Sequence, residues 1–132
     1  MNSTKLLLTI TEGGMLLYWI FASLVVLGVI SISPEYMYPD YENPTVVAWN
    51  WSFLPLDVTF AVAGLYSRYG KLVGARQAIV STFSLSLMFC AGLMAISFWI
   101  VAQTFDPFWW GINLWLILLA SWALVRSYLS QE

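Results

Sequence analysis

Four apolar runs separated by short polar breaks dominate the chain. The first extends from about Leu6 to Ile32, the second from about Thr45 to Tyr66, the third from about Gln77 to Gln103 and the fourth from about Pro107 to Arg126. A helix needs roughly 20 mostly apolar residues to cross the hydrocarbon core of a bilayer, because each residue advances it by only about 1.5 Å. Four such runs predict an all-α fold: a four-helix transmembrane bundle forming a single integral membrane domain over residues 1–132. Composition agrees. Hydrophobic residues make up 61% of the chain and charged residues 9%, against about 25% charged in soluble domains. These charges are too few to coat a water-facing surface, so lipid is the expected solvent. The first run outlasts the ~7–15-residue core of a signal peptide and reads as a retained helix.

The breaks carry helix-ending chemistry. Ser33-Pro34 closes the first run, because proline and the restraint on its predecessor disfavour helix. Arg68-Tyr69-Gly70-Lys71 follows the second run. Asp106-Pro107 opens the fourth as an acidic cap with proline in the first turn. The outer segment 33–44 contains Pro34, Pro39 and Pro44, which prevent a long helix. With Tyr36, Met37, Tyr38 and Tyr41 it reads as an ordered lid lying on the bundle.

Charge fixes the orientation. Lys5, Arg68, Lys71, Arg76 and Arg126, all the basic residues of the chain, fall on one side of a four-span arrangement. Glu35, Asp40, Glu42 and Asp106 fall on the other. The positive-inside rule then places both termini in the cytoplasm, with the chain in the inner (plasma) membrane. Tyr36, Tyr38, Tyr41, Trp49, Trp51, Trp99, Phe108, Trp109 and Trp110 gather in the outer half. An interfacial aromatic belt is the expected explanation; an aromatic-lined entrance is the alternative.

Several chemistries are excluded. The chain has no histidine and one cysteine, Cys90, so an internal disulfide is impossible and zinc, haem or iron–sulfur ligation is disfavoured. No cofactor is expected. There is no basic patch for nucleic acid, no phosphate-binding loop and no nucleophile elbow, and serines without a histidine do not make a hydrolytic triad. An enzyme built from these residues would have to use carboxylate acid–base chemistry.

Two carboxylates lie within the spans: Glu12 in the first and Asp57 near the middle of the second, both in the cytoplasmic half. No basic residue is expected at mid-depth to neutralise either. A charged side chain at a helix centre costs about 2.5–3.5 kcal/mol on insertion scales. An interhelical hydrogen bond in a membrane returns only about 0.6 kcal/mol. Packing alone is therefore a poor reason to keep Asp57, for which a functional role is favoured. Glu12 is shallower and could contact water near the inner surface, so a structural role is an equal alternative there.

Asn50, Asp57, Ala61, Gly64 and Arg68 share one face of the second run, and Pro55 predicts a kink beside Asp57. Trp19 lies on the same face of the first run as Glu12, and a tryptophan near a buried acid suits a cationic or aromatic ligand. The candidate ligand-binding residues are thus Asp57, Glu12, Asn50, Trp19 and Trp51. Ser81, Thr82, Ser84 and Ser86 in the third run are expected to bond their own backbone.

The segment Asn43-Pro44, followed by Val47-Ala48-Trp49-Asn50-Trp51-Ser52-Phe53-Leu54-Pro55-Leu56-Asp57, resembles the YvaD-like family of small bacterial membrane proteins. Leu16-Leu17-Tyr18-Trp19 fits the same pattern. The resemblance implies a four-helix bacterial membrane protein and assigns no activity. Glu12 in the first of four helices is also similar to the glutamate of small multidrug resistance transporters. However, Asp57 and Pro55 have no counterpart there, and the one-sided charge bias does not suit their dual-topology dimers. The emopamil-binding group offers an analogy of kind only, compact aromatic bundles with membrane acids.

The leading expectation is a non-enzymatic protein that binds a small lipophilic ligand, neutral or cationic, in a cavity between its helices, with Asp57 and Glu12 as acidic anchors. The alternatives are a proton-coupled transporter, a lipid-modifying acid–base enzyme and an accessory subunit of a membrane complex. The expected partners are the lipid bilayer, a lipophilic small molecule, and a second copy or a membrane protein.

Overall fold

Two of the helices begin where the sequence supplies both a side-chain acceptor and a proline. In the computed structural model, which describes residues 3–38 and 40–130, helix α1 runs Ser3–Val26, α2 Pro44–Tyr69, α3 Gly74–Val101 and α4 Pro107–Leu129. Asn43 caps α2 by accepting the Thr45 amide at 3.0 Å. Asp106 caps α4 by accepting the Trp109 amide at 2.9 Å. Pro44 and Pro107 occupy first-turn positions whose amides would lack a partner in any case. The acidic cap expected at Asp106 is present.

The first helix is shorter than its apolar run. It stops at Val26, not near Ile32, because Gly28 adopts the left-handed conformation (φ 72°). The Val29 amide then reaches the Leu24 carbonyl at 3.0 Å and the Gly28 amide reaches that of Val25 at 3.0 Å, the paired bonds of a Schellman stop. Gln103 (φ 54°) ends α3 the same way, with Thr104 bonding Trp99 at 3.0 Å and Gln103 bonding Ile100 at 3.1 Å.

Between α1 and α2 the chain forms a turn, extended residues and a short 3-10 helix at Pro34–Tyr36. Met37 and Tyr38 are buried, so this segment lies against the bundle as expected of a lid. Pro39, also expected to oppose helix here, lies outside the described residues. Helix α2 continues through Pro55.

Neighbouring helices pack in chain order: α1 on α2, α2 on α3, α3 on α4. The pairs Trp19–Asp57 and Glu12–Arg68 set α1 and α2 antiparallel, and the short links after α2 and α3 reverse the chain twice more. Both ends of the described chain therefore lie at one end of the bundle. At Gly92 a Cβ would stand 2.6 Å from the Asn113 carbonyl, so only glycine permits this approach of α4 to α3. By contrast, α1 and α4 do not pack closely along their backbones. Side-chain bonds bridge that seam, among them Trp115 Nε1 to Thr11 Oγ1 and Arg126 to Thr4 Oγ1, each 2.9 Å.

The core divides along the bundle. Towards the termini it is mainly aliphatic, built on Leu8, Leu85, Met88 and Leu116 around the ring of Phe60. At the other end it is aromatic, built on Trp19, Tyr38 and Trp99. Large apolar side chains such as Leu17, Ile79, Leu118 and Trp122 point outwards, which hydrocarbon tolerates and water penalises. All four helices are long and apolar enough to cross a membrane, the architecture of a multi-pass membrane protein.

Candidate functional site

The loose α1–α4 seam leaves space, and α2 supplies the polar groups that face it. A cavity of about 390 Å³ lies there, within the size range of small-molecule sites. Its walls are rich in aromatic rings: Tyr18 from α1, Trp49 and Phe53 from α2, Trp99 from α3, Trp109 and Trp115 from α4. Trp49 stacks on Phe98 with ring centroids 3.9 Å apart, and Trp99 is buried. These two tryptophans, together with Trp109, turn inwards and do not serve as a lipid-facing belt. Phe108 does face outwards.

Asp57 is the acid of this cavity. It is 6% exposed, and Trp19 Nε1 donates to its Oδ2 at 2.9 Å. Its other oxygen, Oδ1, is buried without a hydrogen-bond partner. Trp19 is held by ring contacts with Tyr18 at 5.1 Å and Trp51 at 5.3 Å. Trp51 is not part of the cavity lining. It braces Trp19, and its indole N–H faces the Tyr38 hydroxyl. Burial pushes the Tyr38 hydroxyl above its ordinary pKa, and the indole N–H of Trp51 partly offsets this. Tyr38 itself lines the cavity, so the lid contributes to its wall.

Asn50, two turns before Asp57 on the same face, also lines the cavity. It is buried, and its Nδ2 has no partner. The Tyr18 hydroxyl faces the Asn50 side chain, but the approach falls short of hydrogen-bond geometry and Tyr18 Oη is likewise unpartnered. Asn113 differs: its Nδ2 donates to the Trp109 carbonyl of its own helix at 2.9 Å.

Glu12 lies elsewhere. It is completely buried and forms an ion pair with Arg68, and it is not part of the cavity lining. The expectation that no cation neutralises either acid is therefore wrong for Glu12. Arg68 stands in the last turn of α2, but its long stem carries the guanidinium back into the α1–α2 interface. Gly64 makes room, since a Cβ there would overlap Glu12 and stand 2.7 Å from Ser84 Oγ. Ser84, expected to bond its own helix, instead donates across to the Phe60 carbonyl of α2 at 2.7 Å.

Of the residues expected from sequence, Asp57, Asn50 and Trp19 come together at the cavity, Trp51 supports them from behind, and Glu12 is held apart. Sequence reasoning missed Tyr18, Phe53 and Trp115 as wall residues. Tyr18 carried a readable signal: it lies four residues from Gly14 and seven from Thr11, one turn and two turns along a face now seen to border the cavity. Among the described residues no three His, Cys, Asp or Glu side chains come together as a metal site requires. A half-satisfied carboxylate in an aromatic enclosure suits an organic ammonium group, which the free oxygen can accept and the ring faces can surround.

A family model described as a family of unknown function (DUF5360) matches residues 4–132. The chain is 38% identical over 120 residues to the uncharacterized protein YvaD of Bacillus subtilis (strain 168), covering 89% of this chain and 86% of that one. No solved structure matches it.

Proposed function

The chain belongs to this YvaD-like family of unknown function, and we propose that it binds a small lipophilic amine, as its ammonium ion, in the cavity between α1 and α4. One observation carries the reading: Asp57 Oδ1 is a buried carboxylate oxygen with no protein partner, in a residue that borders an aromatic cavity. A buried charge without a partner is costly, and a cationic ligand would relieve that cost. Trp19 fixes the carboxylate through Oδ2, which leaves Oδ1 for the ligand. The aromatic walls supply apolar contact and cation–π attraction. Glu12 has its own cation and serves the α1–α2 interface in this reading.

The segregation of Lys and Arg supports an orientation with both termini in the cytoplasm and residence in the inner (plasma) membrane. Since one chain supplies all the walls described, a single copy suffices for binding in this reading. The loose seam between α1 and α4 faces lipid and offers a lateral route for a membrane-dissolved amine.

Protein in lipid nanodiscs, titrated with dimethyl(phenylpropyl)amine and followed by tryptophan fluorescence, tests the reading. Asp57→Asn keeps the shape and an acceptor for Trp19 but removes the charge. Binding is expected to weaken at least about tenfold, since bonds to charged groups contribute about 1.5–3 kcal/mol. Equal affinity in wild type and a folded Asp57→Asn protein would overturn it.

A further inference from the structure

Asp57 is not the only unsatisfied group at the cavity. Asn50 Nδ2 and Tyr18 Oη are buried without partners and belong to residues that line the same space. Asn50 is 9% exposed. Buried polar groups are normally bonded, and two donors left idle beside one idle acceptor describe the complement of a ligand. Asn50 and Asp57 stand two turns apart on α2, on the order of 10 Å along the axis. The Tyr18 hydroxyl, projecting from α1, faces Asn50.

Resting on the amine reading above, we infer that the ligand is bifunctional: a lipophilic amine that also carries a hydrogen-bond-accepting oxygen a few bonds from its nitrogen. The ammonium N–H donates to Asp57 Oδ1. The oxygen, an ether, ester or hydroxyl, accepts from Asn50 Nδ2 or Tyr18 Oη. The apolar body lies among Trp49, Phe53, Trp99 and Trp109. A simple alkylamine fills only the acidic end and leaves both donors unpaired, so the site discriminates against it. Sites built to bond a polar group reject analogues that lack it, because their own buried groups then lose partners.

The test uses a matched pair differing by one atom, dimethyl(phenoxyethyl)amine and dimethyl(phenylpropyl)amine, in which an ether oxygen replaces a methylene. Both are titrated against wild type, Tyr18→Phe and Asn50→Leu in nanodiscs, and the ratio of the two affinities is read. Wild type is expected to favour the ether by about fivefold, the worth of one neutral hydrogen bond. In at least one variant the ratio falls towards unity. A wild-type ratio near one, or a preference that survives both substitutions, would overturn the inference and assign these donors to water. Either result leaves the amine reading standing if both amines still depend on Asp57. Failure of both amines to bind defeats that reading separately.

Discussion

The Glu12–Arg68 pair offers a quantitative test of how the bundle is held. Glu12 is fully buried and the Arg68 side chain is 11% exposed, so neither water nor salt screens their attraction appreciably. Replacing Arg68 by Met removes the cation, keeps the volume and strands a carboxylate in the α1–α2 interface. Breaking a buried pair from one side costs about 3–5 kcal/mol. The opposite change, Glu12→Met, strands an arginine, but Arg68 lies in the last turn of α2 and its stem can turn the guanidinium to the interface. That cost is expected to be smaller, about 1–3 kcal/mol. With both replaced, no charge is left unpaired, and the double variant should lie within about 1 kcal/mol of wild type or be more stable. Reversible SDS-induced unfolding in mixed micelles measures all four proteins. The expected signature is a coupling of at least about 3 kcal/mol and a larger penalty for Arg68→Met than for Glu12→Met. Single-variant costs that sum to the double-variant cost within about 0.5 kcal/mol would refute a specific buried pair.

Three further outcomes follow from the geometry. Gly64→Ala drives a methyl group against Glu12 and Ser84, and thermal unfolding should show destabilisation of about 1–3 kcal/mol from overpacking; an unchanged midpoint would mean the interface is looser than described. Trp19→Phe removes the donor to Asp57 Oδ2 and shrinks a buried side chain, so a loss of about 2–3 kcal/mol is expected in the same assay, and a neutral result would argue against the Trp19–Asp57 bond. In a Cys90→Ser background, a membrane-impermeant maleimide added to intact cells should label Glu35→Cys and not Ser130→Cys; the reverse pattern would invert the orientation.

Much of the fold was legible because its causes are local. Apolar length set the spans, and Asn43-Pro44 and Asp106-Pro107 marked helix starts through side-chain capping and proline's fixed geometry. The end of α1 was less legible: residues 27–32 are as apolar as the helix before them, so hydropathy cannot find the stop. The relevant signal was one glycine, Gly28. At the site, Asp57, Asn50 and Trp19 were readable because polar groups inside a span demand a reason. The partnership of Arg68 with Glu12 was obscured because Arg68 also reads as a loop-flanking, positive-inside charge. Its position on the Asn50–Asp57–Gly64 face was the clue that it turns inwards. The aromatic wall was misread for a related reason: composition places tryptophan at one depth of the bundle but does not say whether it faces lipid or cavity. Only the loose packing of α1 against α4, a tertiary property, creates the space that these rings line.

The central claim is that an ammonium group is held at Asp57 between α1 and α4. A crystal structure of the protein soaked with a ring-brominated dimethyl(phenylpropyl)amine addresses it most directly, because anomalous scattering locates the bromine without ambiguity. The account predicts bromine among Trp49, Trp99 and Trp109 and the amine nitrogen within hydrogen-bond distance of Asp57 Oδ1. Bromine found only on the lipid-facing surface, or an amine bonded to Glu12 in place of Arg68, would contradict it.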